Sequence, residues 1–284
     1  MSILRDLVAL VAAVLAVAAM LAFLVGNWVS AHVVSESGFL AITEPLAHDV
    51  PLQEQFAQSA LDSVAPGLPV PEGLRTEVES TLVSQVHLVA ESGTYGEIWS
   101  GSMADLHGEL VRGDAQASIR ADIAPVWNTL AEPINSLLPF GLEIPVPEST
   151  ILTLATFDAS WFTHAVTLAE SAPIFGVVGI AAALAALVLA RHRLVALWFL
   201  GLTLALGSGA LWLALDRHEV LMDANNLGDI PFLSPILRVF LEAARSDLSS
   251  VTLIFAGAGV AMVVIAAIAA IVVRVVQAGE RPGR

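Results

Sequence analysis

Apolar residues gather into four long runs along this chain, and more polar stretches separate the runs. They cover residues 7–31, 171–190, 194–215 and 248–273, and none of them contains Asp, Glu, Arg or His. A hydrocarbon core about 30 Å thick is crossed by about 20 residues of α-helix, and each run has at least that length. The pattern therefore predicts four transmembrane helices.

The first run has a second interpretation, because Val29, Ser30 and Ala31 together are typical of a signal-peptidase site. A signal peptide has a basic start and an apolar core of about 7–15 residues. Here Asp6 offsets the single basic residue, Arg5, and the apolar run is much longer. We therefore expect an uncleaved anchor, so that residues 1–31 hold the N-terminus and the first transmembrane helix.

The placement of arginines predicts which helix ends face the cytoplasm. Only two acids, Asp6 and Glu280, accompany six arginines at one set of ends: Arg5, Arg191, Arg193, Arg274, Arg281 and Arg284. The opposite ends and their loops carry the other six of 12 arginines and the rest of the 27 acids. Because basic residues accumulate on the cytoplasmic side, we expect both termini, the turn 191–193 and the tail 274–284 to be cytoplasmic.

Aromatic residues near the predicted outer helix ends fit this orientation, since their rings prefer the level of the lipid headgroups. The residues assigned to the membrane interface and to topology are Trp28, Trp161, Phe162, Arg191, Arg193, Trp212 and Arg274. The absence of lysine and the heavy use of Ala, Val and Leu indicate a GC-rich bacterial genome. The predicted location is therefore a bacterial cell membrane, which the chain crosses several times.

The polar stretch 32–170 is long enough to form an extracytoplasmic domain with its own core. Apolar residues at helical spacing predict helices over 49–61 with Asp49 as N-cap, over 72–90, over 97–112 with Gly113 as C-terminal stop, and over 125–138. Alternation at 117–123 and β-branched residues at 150–157 predict two strands. The fold class is thus an α-helical membrane protein with a mainly helical α+β outer domain and a small two-stranded sheet.

Two further segments flank the predicted spans. A rigid connector is expected at 138–147, and a short helix at 158–170 that Pro173 separates from the second span. The second outer loop, 216–247, contains an amphipathic segment at 231–248. That segment could lie on the membrane or against the outer domain, and the net negative charge of the whole loop favours the domain.

Small residues recur in the spans, where they permit close helix packing in lipid. The glycines concerned are Gly176, Gly179, Gly201, Gly207, Gly209, Gly257 and Gly259. A pore or hinge is the alternative interpretation. Ionisable residues mark ion and proton paths at membrane depth, and the runs contain none, so a pump or charged-substrate carrier is not expected.

A search for reactive chemistry yields no motif, and we predict neither an enzyme nor a cofactor or metal site. The chain has no cysteine, and its seven histidines form no His-x3-His or HExxH arrangement. His87 and His107 lie on different predicted helices and could converge, but a metal site needs three or four ligands. No EF-hand, P-loop or G-x-S-x-G string is present, and the net charge of −15 excludes nucleic acid as a partner.

The order of segments resembles a family of uncharacterised integral membrane proteins common in actinobacteria. The strings that carry the resemblance are PLAHDVPLQEQFAQSALDSV, GEIWSGSMADLHGELVRGD, ASIRADIAPV, IPVPESTILTL and the Arg-His-Arg turn between the second and third spans. The resemblance implies a shared architecture that includes the outer domain. It implies no activity.

The hypothesis that follows is a non-catalytic integral membrane protein whose extracytoplasmic domain binds a partner. The expected partners are the lipid bilayer and another membrane or envelope protein, with the chain as an accessory subunit of a larger complex. The alternative is a transport or lipid-handling component of the cell envelope, with an apolar groove in the outer domain that receives an acyl chain.

Overall fold

A computed structural model describes residues 2–64, 93–125, 150–217 and 232–279. The chain divides into two compact units, one formed by Met1–Ala31, Ala165–Ala224 and Leu241–Arg284, the other by His32–His164 and Asn225–Phe240. The described elements are α1 (Ser2–Val29), α2 (Glu36–Thr43), α3 (Val50–Val64), α4 (Gly93–Arg112), β1 (Gln116–Asp122), β2 (Ile151–Asp158), α5 (Ser160–Leu189), α6 (Arg193–Asp216) and α7 (Leu233–Gly279).

Among the described residues, the first unit contains the greater part of four helices that are long and apolar enough to cross a membrane. They are α1 together with the π-helical turn Ser30–Val34, then α5, α6 and α7. Much of their surface is apolar and exposed, as at Val177 of α5 and Ile254 of α7, which are 69% and 68% exposed. A helix that is apolar on all sides requires a nonpolar environment around it.

Close backbone contacts at glycines hold these helices together. A Cβ added to Gly179 would lie 3.2 Å from the carbonyl oxygen of Ala16, and one added to Gly207 would lie 3.1 Å from side-chain atoms of Leu21 and Val17. α1 therefore packs against both α5 and α6. The interpretation of these glycines as packing positions is confirmed, with partners inside this chain.

The tightest approach lies between α6 and α7. A Cβ added to Gly201 or to Gly259 would come within 2.6 Å of backbone atoms of the facing helix. By contrast, Gly209 and Gly257 have nothing within 4 Å of such a Cβ. Two of the glycines in the spans thus have no packing role among the described residues.

Two predicted helix boundaries are wrong. The short helix expected at 158–170 and the second span form the single helix α5, with Pro173 inside it. Proline removes one backbone hydrogen bond, but apolar helices tolerate it where their surroundings leave no better conformation. The proline therefore does not end the helix here.

The amphipathic segment of the second outer loop is likewise continuous with the fourth span, as α7. Pro235 falls in the first turn, where its missing N–H is not needed, and no Gly or Pro follows before Gly257. The sequence contains nothing that would interrupt the hydrogen-bond ladder. Within the second unit, the ring of Phe240 on α7 contacts that of Phe39 at 5.1 Å, so this part of α7 packs on α2.

The second unit contains the antiparallel pair of β1 and β2, so the predicted two-stranded sheet is confirmed. β1 alternates as expected: Ala117, Ile119 and Ala121 are buried. They face Phe157, Ala155 and Leu152 of β2. The register shifts after Ile119, which leaves Leu154 of β2 without a partner.

That unpaired residue is a β-bulge, and it explains why β2 does not alternate in a simple way. Leu152 and Leu154 are even-numbered, whereas Ala155 and Phe157 are odd-numbered, yet all four are at least partly buried. One extra residue on a strand reverses the side on which subsequent side chains lie. The bulge thus lets both ends of β2 contribute apolar side chains to one core.

Helix α4 covers the inner side of the sheet. Its predicted stripe is buried as expected, at Trp99, Met103, Leu106 and Leu110. Gly113 ends it with φ at +79°, and its N–H donates to the carbonyl of Leu110. The predicted N-cap of α3 is also confirmed, because Asp49 Oδ1 accepts a hydrogen bond from the N–H of Leu52 at 2.9 Å.

Several sequence predictions lie outside the described residues. They are the helix at 72–90 with His87, most of the helix at 125–138, the connector at 138–147, residues 218–231 of the second outer loop, and Arg281 and Arg284. In the other direction, the structure contains a helix that the sequence analysis missed. Ser35 caps α2 by accepting from the N–H of Gly38, and Glu36 follows it, which is a typical helix-start pattern.

We expect Gly259→Ala to destabilise the protein and Gly257→Ala to leave it nearly unchanged. The first substitution places a methyl group within 2.6 Å of α6 backbone atoms, and overpacking of this kind costs about 1–3 kcal/mol. The second adds a methyl group in open space two residues away on the same helix. Thermal unfolding of the detergent-solubilised variants measures the difference, and equal midpoints would show that the α6–α7 approach contributes nothing to stability.

Candidate functional site

His107 is the one histidine of the pair singled out by the sequence that the structure describes. It lies on α4, is 6% exposed, and its Nε2 is 3.0 Å from the carbonyl oxygen of Val34. Because a carbonyl can only accept, Nε2 must carry a proton and donate. Val34 ends the π-helical turn, so the imidazole satisfies a carbonyl that the end of a helix leaves without an intrahelical partner.

The ring of His107 also packs against Phe39 of α2 at 5.2 Å. Among the described residues, no group of three or more His, Asp or Glu side chains could hold a metal ion. The contacts of His107 are therefore those of a core residue. It fixes the start of the second unit against α4.

A second buried contact involves Trp99 and Tyr95, one turn apart on α4. Trp99 donates from Nε1 to the carbonyl oxygen of Thr43 at 3.0 Å. Tyr95 stacks on Trp99 and meets Phe56 of α3 edge to face at 5.3 Å. Its buried hydroxyl has no hydrogen-bond partner among the described residues, which is uncommon for a buried polar atom.

Glu109 and Arg120 link α4 to β1. Glu109 Oε2 accepts from the N–H of Ser118 at 2.9 Å, and its other oxygen pairs with the guanidinium of Arg120. The Glu109 side chain is 12% exposed and that of Arg120 is 41% exposed. The carboxylate is thus committed to holding the strand, while the guanidinium reaches the surface.

A shallow groove of about 250 Å³ lies on the surface of the second unit beside this ion pair. α4 contributes the carboxylates of Glu97 and Asp105, one on either side of Gly101, and β1 contributes Arg120 and Asp122. Glu97, Gly101 and Asp105 are four residues apart, a spacing that places them on one face of the helix. The groove therefore carries three carboxylates and one guanidinium.

The charged side chains that line the groove have a net negative charge. Asp122 also has a structural role, because its Oδ1 accepts from the N–H groups of Ala124 and Thr150. The buried hydroxyl of Ser102 donates to the carbonyl of Ile98 at 2.8 Å, so that hydroxyl has a structural partner. Glu97 and Asp105 remain as exposed acids.

The residues assigned to the membrane interface and to topology are placed as follows. In the first unit, Trp28 Nε1 donates to Asp247 Oδ2 at 2.9 Å, Trp212 is half-buried near the end of α6, and Arg191, Arg193 and Arg274 are exposed. In the second unit, Trp161 is 42% exposed whereas Phe162 is 1% exposed. Of these two neighbours, Trp161 alone presents its ring at the surface.

A hydrogen bond and an ion pair link neighbouring helices of the first unit, one at each end of the helices. Asp6 Oδ1 accepts from the N–H of Arg191 at 3.3 Å, next to the start of α6. Arg245 of α7 pairs with Asp216 at 2.6 Å, where α6 ends. The start of α1 and the Arg-His-Arg turn therefore lie at one end of the helices.

No protein-family model, curated protein or solved structure matches this chain.

We expect His107→Ala to destabilise the second unit and His107→Gln to have a smaller effect. Alanine leaves the carbonyl of Val34 without its donor, which costs about 1–3 kcal/mol, and it leaves a cavity beside Phe39. Glutamine can place an N–H near the position of Nε2. Chemical unfolding followed by circular dichroism separates the two variants. Unchanged stability for both would refute the structural role.

Tyr95 is expected to make the protein less stable at alkaline pH. Burial, and secondarily the negative charge of Asp49, raises the pKa of Tyr95. The unfolded chain titrates at about 10, so the free energy of unfolding is unaffected below that pH and falls as the pH rises above it. Tyr95 is the single tyrosine, so phenolate absorbance reports on it alone.

The control is Tyr95→Phe, which removes both the absorbance change and this component of the alkaline destabilisation. Because the hydroxyl has no partner among the described residues, the substitution should not destabilise the protein at neutral pH. A phenolate signal that appears near the usual pKa while the helices remain folded would contradict the burial of this ring.

Proposed function

We propose that this chain is a multi-pass membrane protein whose first unit spans the bilayer and whose second unit is extracytoplasmic. Four apolar helices with apolar exposed surfaces support the first part. The second part rests on the distribution of charge: Arg5 and the Arg-His-Arg turn lie at the same end of the helices, as the positive-inside rule requires for a cytoplasmic face. Both termini are then cytoplasmic.

The second unit, in this proposal, binds a basic segment of another membrane or envelope protein, and the chain acts as an accessory subunit. The observation that carries the proposal is the groove beside α4, where Glu97 and Asp105 face solvent above a strand that Glu109 and Arg120 hold in place. Surface charge of one sign attracts and orients a partner of the opposite sign.

We do not propose catalysis. His107, Glu109, Ser102 and Asp122 all hold backbone groups in place, and a nucleophile or general base has to be within reach of substrate rather than committed to the fold. The groove is lined by four charged side chains, which favours a basic protein segment over an acyl chain. The lipid-handling alternative for this unit would need an apolar groove.

A photo-crosslinking amino acid placed at Gly101 tests the proposal in intact cells. Gly101 lines the groove, and nothing lies within 4 Å of a Cβ there. We expect a defined protein adduct, reduced roughly fivefold by Glu97→Gln with Asp105→Asn, because exposed ion pairs contribute up to about 1 kcal/mol each. The same probe at Glu54, an exposed position of α3 outside the groove, should give no such adduct.

Two controls make the result decisive. Glu54→Gln removes an exposed acid of α3 outside the groove and should leave the adduct intact. The chain has no cysteine, so Gly108→Cys and His192→Cys report sidedness directly: an impermeant maleimide should label only the first in intact cells. An adduct that is insensitive to the groove charges would refute the groove, and the reverse labelling pattern would refute the orientation.

A further inference from the structure

A second groove, with a volume of about 300 Å³, lies in the first unit between the start of α1 and the start of α6. Its lining is mainly apolar, with Leu7 and Leu10 from α1 and Val195 and Phe199 from α6. Asp6 and His192 complete it at the end of the helices that carries the Arg-His-Arg turn. The volume is at the lower limit for a ligand pocket, so it suits part of a chain-like molecule.

Three alanines make the floor of this groove. Ala9 of α1, Ala190 after α5 and Ala196 of α6 form one buried cluster, with Leu187 packed against it. Their small side chains allow the backbones to approach closely, and the larger residues around them form the walls of the groove. Two of those walls, Leu7 and Val195, are about half exposed at 54% and 51%, so the groove is open to the surroundings of the helices.

The groove meets a concentration of positive charge. Arg5, Arg191 and Arg193 are exposed. They are the chain neighbours of the lining residues Asp6 and His192, and Asp6 supplies the single carboxylate there. Asp6 accepts from the backbone N–H of Arg191, an interaction that fixes the turn. The imidazole of His192 lines the groove and makes no capping hydrogen bond to α6. An apolar slot thus ends at a basic rim.

We propose that this groove binds an anionic phospholipid, with an acyl chain between α1 and α6 and its phosphate against the Arg191–Arg193 turn. The inference rests on the proposed membrane insertion, which puts the turn at the level of the cytoplasmic headgroups. The surrounding solvent is then lipid, and basic pockets between helices on that side recruit anionic headgroups. Three arginines against one carboxylate set the preference for an anionic over a zwitterionic lipid.

The test measures lipid retained by the full chain after reconstitution in nanodiscs of phosphatidylcholine and phosphatidylglycerol and transfer into mild detergent. Native mass spectrometry should show phosphatidylglycerol retained in preference to phosphatidylcholine. We expect Arg191→Gln with Arg193→Gln to weaken that preference by about fivefold for each arginine removed. We expect Val195→Trp to reduce the retention of both lipids, because the indole occupies the groove.

Matched variants separate this site from a general effect of charge or surface. Arg274→Gln removes an exposed arginine of α7, and Val275→Trp adds an indole at an exposed position of the same helix, 65% exposed. Both should retain lipid as the natural sequence does. Equal retention of the two lipids by the natural chain, or equal losses in the α7 variants, would overturn the proposal, as would a groove that retains only detergent.

The failure of this inference and the failure of the proposed function give different results. A chain that resists extraction by alkaline carbonate but shows no lipid preference is inserted in the membrane and lacks the site. A chain that is extracted by carbonate is not inserted, and both proposals then fail. Variants are compared only where their circular dichroism spectra match that of the natural chain. Val195 is chosen for substitution because its side chain is about half exposed, so that a larger residue there disturbs the helix packing little.

Discussion

The distance to which two helix backbones can approach one another is the constraint on which the first unit depends. Burial of apolar surface cannot select its helix contacts, because in lipid an apolar helix face has equally apolar alternatives. What distinguishes one face from another is shape. Gly201 and Gly259 bring the backbones of α6 and α7 together, and Gly179 brings α5 close to the backbone of α1. Gly207 of α6 makes room for the side chains of Val17 and Leu21. Dispersion contacts then accumulate along each pair.

The second unit follows a different logic. It has a conventional core around Trp99, Met103 and Ile119. The buried side chains of His107 and Ser102 are matched to backbone carbonyls, whereas the Tyr95 hydroxyl has no partner among the described residues. Its charge is concentrated on the surface. The two units are therefore stabilised differently. In the first, shape complementarity determines which helices pack together, and in the second, burial of apolar side chains stabilises the fold while the acidic side chains remain on the surface.

Much of this fold follows from sequence, because periodicity reports burial directly. The four long apolar runs, the stripe of α4 and the alternation of β1 all appear as helices or strands. The two misplaced boundaries have different causes: Pro173 does not end α5, and nothing in the sequence interrupts α7. A proline ends a helix where water can satisfy the carbonyl that it frees. The surroundings of Pro173 therefore decide whether the helix continues, and the local sequence pattern does not reveal those surroundings. Helix α2 was missed for another reason, since its N-cap, Ser35, can be recognised in the sequence.

The candidate sites were harder to predict than the fold. The acidic groove joins Glu97 and Asp105 to Arg120 across a turn and a strand, and the lipid groove joins two helix starts that are far apart in the chain. Such pairings depend on tertiary structure, whereas motif searches detect residues at fixed spacing. The distribution of charged residues did indicate the sign of the charge near each groove, because acids are in excess at one set of helix ends and loops and arginines at the other.

The bulge in β2 has a consequence for the length of this strand as well as for its composition. Leu154 is the residue without a partner, and it lets Leu152 and Phe157 lie on the same side of the sheet. Deletion of that one residue would remove the bulge and leave Leu152 and Phe157 four positions apart, which keeps both on the same side of a regular ladder. The loss of one residue at this point is therefore compatible with the core that Leu152 and Phe157 share, whereas the loss of two would place them on opposite sides of a regular ladder.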